Sequence, residues 1–149
     1  MAKKLSRAQI IALNHRTIEE QGGHFVPPEN LLNPAGLEYA ITAPFQVIFG
    51  QEAYPSIPDK AAVYLFTIVS GHLFQDGNKR TGLTVALLFL LVNDYDIVVP
   101  SGYEPDHSND LRGGSPEEFF VYDFTMQVAG GQHDLDAVRN WFNAHTTQR

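Results

Sequence analysis

The chain has 149 residues, 44% of them hydrophobic and 11% aromatic, which suits a globular domain with its own core and excludes a disordered chain. It contains no cysteine, so disulfides, thiol nucleophiles and zinc fingers are excluded. A formal net charge of -7 with no basic stripe argues against a nucleic-acid-binding surface.

Met1-Ala2-Lys3-Lys4 leads into no apolar run, so no signal peptide is expected. Ser6 caps a first predicted helix reaching about Gln21, with Ile10, Ile11, Leu13 and Ile18 facing inward and Gly22-Gly23 ending it. Pro27, Pro28 and Asn30 mark a loop, and Asn33-Pro34 starts a short helix to about Thr42. Pro44 ends that helix, and residues 45–54 read as a small β-hairpin or flap around Gly50. Ser56-Ile57-Pro58-Asp59 is a capping signal for a helix to about Ser70.

A polar run follows, His72-Leu73-Phe74-Gln75-Asp76-Gly77-Asn78-Lys79-Arg80-Thr81, and then a helix that opens at Asn78 or Lys79. Leu83 to Val92 carries no charge, so this helix reads as apolar on all sides and innermost; it is too short to cross a bilayer, and no membrane contact is expected. Residues 94–114 read as surface loop, with Asp94 and Asp96 solvated. Ser115-Pro116-Glu117-Glu118 caps a helix to about Val128, Gly130-Gly131 breaks it, and Asp134 caps a last helix carrying Leu135, Val138, Trp141 and Phe142 on one face. The expected architecture is mostly α: one domain over 1–149, about six helices, one small β flap, and no internal repeat. A soluble, cytoplasmic protein is the expectation.

A base, a carboxylate, an amide and two cations between apolar helices would be costly to desolvate without ligands. A phosphate and a metal explain them together. Backbone N–H groups of Gly77, Asn78 and Lys79 converge on an anion where the helix begins, and the macrodipole adds positive potential. Lys79 and Arg80 add full charges. Asp76 suits Mg²⁺ and not the phosphate itself, and His72 stands ready to take a proton from a hydroxyl. These are the parts of a phosphoryl- or nucleotidyl-transfer site. A P-loop is rejected, because the Gly-Lys-Ser/Thr order and a preceding strand are missing. His15, His24, His107, His133 and His145 lack metal spacing and read as surface residues; Tyr64, Phe66 and Phe89 read as core.

The same run resembles the motif of the Fic/Doc family, His-x-Phe-x-Asp/Glu-Gly-Asn-Gly-Arg-x-x-Arg. His72, Phe74, Asp76, Gly77, Asn78 and Arg80 fall on it without gaps. Lys79 replaces the second glycine and Leu83 the second arginine, the form of the Doc toxin branch. In Fic adenylyltransferases that second arginine holds the distal phosphates, so its loss implies a reversed nucleotide with the γ-phosphate beside His72. The resemblance thus implies a kinase for a serine or threonine hydroxyl that uses ATP and Mg²⁺. It further implies elongation factor Tu as target and blocked translation as outcome. Implied roles are His72 as general base, Asp76 as metal ligand, Gly77 and Asn78 (with its side-chain amide) as anion hole, and Lys79 and Arg80 as phosphate ligands. The flap residues Phe45, Val47, Phe49, Gly50 and Tyr54 would bind the target through backbone pairing. The family's internal inhibitory pattern Ser/Thr-x-x-x-Glu-Gly/Asn is absent; Thr17 comes nearest, with Gln21 at the glutamate position. A separate antitoxin helix, docking in a groove near the flap, is therefore expected. An adenylyltransferase and a catalytically silent binding module are the alternatives.

Overall fold

Three serines begin helices by one device. Ser6, Ser56 and Ser115 each accept the N–H three residues on, and the side chain there accepts the serine N–H in return. Each cap is worth about 1 kcal/mol, so these helix starts are specified locally. A computed structural model describes residues 1–149. In chain order its elements are α1 (Arg7–Gln21), α2 (Pro34–Thr42), a 3₁₀ turn (Ala43–Phe45), β1 (Val47–Ile48), β2 (Gln51–Glu52), α3 (Ile57–Gly71), α4 (Asn78–Val92), β3 (Tyr95–Ile97), α5 (Pro116–Ala129), α6 (Leu135–Ala144) and β4 (Thr146–Gln148). The expected mostly α architecture of six helices stands.

α3 is the hub, packed against α2, α4, α5 and α6. Its Tyr64 and the Phe89 of α4 are fully buried with ring centroids 5.0 Å apart, at the middle of one core cluster. Burying such side chains contributes about 1.5–3 kcal/mol each. The two helices approach closely because of Gly82, where a Cβ would sit 2.6 Å from Val69 Cγ2 and 3.5 Å from the Leu65 carbonyl. α4 is not apolar-packed on every side, contrary to expectation. Leu91 is exposed and Leu87 and Leu88 are half-buried, because that face borders an open groove rather than another helix.

The stretch expected as loop after Asp94 holds a strand. β3 pairs antiparallel with β4 in the register Tyr95–Gln148, Asp96–Thr147 and Ile97–Thr146. Asp94 and Asp96, expected as merely solvated, pair with Arg149 at 3.5 and 2.6 Å, which fastens the end of the chain beside α4. In α1 the expected inward set also changes. Ile10 and Ile18 are buried, Ile11 and Leu13 only partly, and the polar Asn14 and Thr17 take the inner face instead. No helix is long and apolar enough to cross a membrane.

Candidate active site

Five residues, Leu73 to Gly77, separate the C-cap of α3 from the start of α4, and almost every one is tied to the body of the protein. The cap is His72, in the left-handed conformation (φ 49°, ψ 56°), with its side chain exposed. Leu73 and Phe74 turn into the core and are buried. The Leu73 carbonyl accepts the N–H groups of Leu32 and Asn33, and Gln75 N–H donates to the Asn30 carbonyl at 2.8 Å. Phe74 thus anchors the loop as its apolar side chain requires, and the polar residues after it keep their register.

Gly77 turns the chain into α4 with φ 81°, a conformation a glycine adopts without steric cost. No backbone carbonyl accepts the N–H of Asn78, Lys79 or Arg80. These are the orphan donors of a helix start, and the dipole adds positive potential there. His72, Asp76, Gly77, Asn78, Lys79 and Arg80 all line one cavity of about 370 Å³. The six residues of the run singled out by their chemistry are therefore brought together.

Two of the expected roles need correction, and a third is narrowed. The Asn78 side chain adds no amide to an anion hole. Its Oδ1 accepts Phe74 N–H and its Nδ2 donates to the Phe74 carbonyl, both at 2.9 Å, so it clamps the loop. The Gly77 N–H is also engaged, donating to Asp76 Oδ1 at 2.8 Å. Arg80 directs Nη1 to the carbonyls of Gln21 and Gly22 at the end of α1, at 3.1 and 3.2 Å, which leaves its Nε and Nη2 edge for an anion.

The Asp76 carboxylate accepts His24 N–H on Oδ2 at 2.9 Å in addition to Gly77 on Oδ1. These donors fix its direction while each oxygen keeps a lone pair. Mg²⁺ commonly takes one or two carboxylates and completes its sphere with water and substrate phosphates. A single fixed carboxylate beside an anion site fits that donor set. No cluster of three or more acidic or histidine ligands offers an all-protein cage.

One residue reached the cavity from the stretch expected as solvated loop. Asp110, in the 98–115 connection, lines it and accepts the hydroxyl hydrogen bond of buried Tyr122. That bond and the charges of Arg80 and Lys79 outweigh partial burial and hold the Asp110 carboxyl below its ordinary range. Burial and the neighbouring Asp110 push the Tyr122 phenol upward. No local sequence signal marks Asp110, since its partners come from other elements.

The flap forms as a hairpin, with Val47 opposite Glu52 and Ile48 opposite Gln51. Phe49 and Gly50 have φ of 50° and 76°, the positive pair of a type I′ turn. Val47, Ile48 and Phe49 are exposed, Phe49 completely. Phe45 does not belong to this surface. It lies in the 3₁₀ turn and packs edge-on against Tyr64 and Phe89, because an aromatic ring there completes the core. Tyr54 is half-buried under the Arg139 guanidinium, 5.1 Å from its ring centroid. The fully buried Lys60 ties the hairpin down through Glu52 at 2.9 Å and through the Tyr54 carbonyl. No flap residue lines the cavity holding His72. The larger groove of about 530 Å³ runs between α1, α4, β3 and α5, and it too contains no flap residue.

The sequence model of the Fic/DOC family matches residues 4–90, which takes in α1, the flap, the motif and most of α4. The chain belongs to the Fic/Doc family. It is similar to "Toxin Doc" of Mycolicibacterium smegmatis, 35% identical over 102 residues that cover 68% of this chain and 67% of that protein. It is also similar to "Protein kinase doc" of Escherichia phage P1, 33% identical over 95 residues, 64% of this chain and 71% of that one. Both relatives place it on the Doc branch of the Fic/Doc family.

Proposed function

We propose that this chain is a Doc-like toxin that phosphorylates a serine or threonine hydroxyl of a protein, with ATP as donor and elongation factor Tu as the first target to test. The observation that carries this reading is the single cavity shared by an exposed imidazole, two cations and unpaired N–H groups at a helix start. Polyphosphate chemistry needs little covalent help from a protein and mostly positioning and charge.

His72 takes the proton of the incoming hydroxyl. The hydroxyl oxygen bonds to the γ-phosphorus as the bond from that phosphorus to the bridging oxygen breaks, and ADP leaves. Lys79, the free edge of Arg80 and the N–H groups of Asn78 and Lys79 stabilise the charge on the transferring phosphoryl oxygens. Asp76 would hold Mg²⁺, which would supply positive charge to neutralise the phosphates. Leu83 is buried in the core, so no second motif arginine competes for the distal phosphates. That favours phosphorylation over the alternative, transfer of AMP.

The test is incubation with Mg-ATP and elongation factor Tu followed by intact mass measurement. A gain of one phosphoryl group, with label from the γ-phosphate, is the expected result. A gain of AMP, with label from the α-phosphate, selects the adenylyltransferase. An unmodified target, with toxicity indifferent to His72→Ala, selects the silent module.

The same reading includes a separate antitoxin. The larger groove has an apolar floor of Leu13, Leu87, Leu88 and Leu91; of the acidic groups around it, Glu20 is paired with Arg16 and Asp96 with Arg149. The apolar face of an amphipathic helix suits that floor. Co-purification with a small partner is expected, and Leu88→Glu should release it.

A further inference from the structure

We propose that Asn14 and Asn30 are positioning residues of the active loop, which lock the peptide between Asp76 and Gly77 with its carbonyl turned away from the phosphate site. This inference rests on the reading of the cavity as a nucleotide site. Asn14 and Asn30 are 0% and 1% exposed, on α1 and in the loop after it. Two side-chain amides converge on one carbonyl oxygen, that of Asp76: Asn14 Nδ2 at 3.0 Å and Asn30 Nδ2 at 3.3 Å. Asn14 Nδ2 also donates to Thr81 Oγ1 at 3.0 Å, and its Oδ1 accepts Asn30 Nδ2 at 3.0 Å. Asn30 Oδ1 accepts Val26 N–H at 2.8 Å. The set is closed, for no buried side-chain polar atom lacks a partner.

Shape alone would favour a leucine at position 14, on the inner face of α1 between Ile10 and Ile18. A buried polar network instead pins one geometry, because any rearrangement orphans several groups at once. The geometry at stake is specific. Gly77 is free to change the sign of φ, so the 76–77 peptide can rotate as a plane while the chain on either side stays in place. Rotation would bring the Asp76 carbonyl dipole round toward the α4 N-terminus and remove the Gly77 N–H that steadies the Asp76 carboxylate. A carbonyl facing phosphate oxygens repels them, and a carboxylate without its donor loses direction. The two amides oppose that rotation from inside the core, while His24 N–H holds the carboxylate from the other side.

Asn14→Leu preserves volume and deletes the donors. The control is Thr125→Val, another fully buried polar deletion, whose hydroxyl bonds only to the Val121 carbonyl of its own helix. Calorimetric binding of Mg-ATP to the purified chain should weaken tenfold or more in Asn14→Leu and stay at the wild-type level in Thr125→Val. The Gly77 amide resonance should move in the first variant alone, with no nucleotide present. Wild-type affinity in Asn14→Leu, or losses in both variants that simply follow their melting temperatures, would overturn the proposal. If the wild-type chain binds no Mg-ATP, the nucleotide reading falls and the amide resonance alone decides: displacement supports the lock, and an unmoved signal refutes it. Should Asn14→Leu not fold, Asn30→Gly carries the same measurements with a smaller expected loss, since glycine suits the Asn30 φ of 59°.

Discussion

The run from His72 to Arg80, a loop and the first turn of α4, and the hairpin from Val47 to Glu52 are both short stretches beside α3, yet they are built oppositely. The first is wired inward: Asn78 clamps Phe74, Asn14 and Asn30 hold Asp76, and Arg80 reaches the end of α1. The second shows its apolar side chains to solvent and is tied down at one end by Lys60. A site that stabilises charge must be set before substrate arrives, because reorganising dipoles during reaction forfeits much of their effect. If the hairpin accepts an extended segment of the target, as proposed above, it gains from adapting to it, and backbone pairing supplies affinity without a fixed pocket.

The largest effect expected from this contrast lies on the wired side. His72→Ala should lower target modification by about 10²–10⁴-fold while leaving the melting temperature near wild type, since the side chain is exposed. Single-turnover rates and thermal unfolding read the two quantities together. An active His72→Ala would remove the base from the scheme.

Asn78→Ala comes next and should lower both quantities. Two partly buried hydrogen bonds to Phe74 are lost, roughly 1–3 kcal/mol by denaturant unfolding, and the loop that carries Asp76 loosens with them. If activity fell while stability held, the clamp would have to be demoted and an anion-binding role for that amide restored.

On the adaptable side the signs should separate. Phe49 carries a left-handed φ of 50° where asparagine is the favoured residue, so Phe49→Asn should stabilise the chain by about 1 kcal/mol. The same substitution should weaken target engagement, seen as a raised KM for the protein substrate with an unchanged affinity for nucleotide. A variant equal to wild type in target KM would show that the flap tip is not used.

The smallest effect concerns acid. Burial pushes the Asp59 carboxyl up, but hydrogen bonds from Arg139 and Asn143 and the Arg139 charge outweigh it and leave the group below its ordinary range. A depressed folded value favours the folded state above the unfolded value of about 3.9 and loses that contribution as pH falls through the folded one. Arg139 also covers Tyr54, so acid should loosen the flap side. Urea unfolding of wild type and Asp59→Asn at neutral pH and below pH 4 should show a gap that closes in acid.

What sequence disclosed follows from where the determining contacts lie. Helix starts were legible because a capping serine and its partner stand three residues apart. The motif was legible because its residues share one turn and one helix start. β3 left a trace in the alternation Tyr95-Asp96-Ile97, but its partner Thr146-Thr147-Gln148 is polar and distant, so no hairpin signal joined them. Phe45 looked like a flap residue because alternation cannot distinguish a ring turned to solvent from one completing a core. Asn14 was least visible. A polar residue in a helix ordinarily faces water, and the carbonyl it holds belongs to a residue 62 positions later.

The missing side chain at Gly82 has a consequence of its own. The site spans the gap between the last residue of one helix and the first of the next, and the width of that gap is gauged about one turn away, by bare backbone against Val69. Even a single methyl group there would act as a wedge. Its effect would surface at the adjoining mouth of the helix pair, whose wall includes Val69, as imidazole and cations drawn out of mutual reach with every one of them still in place.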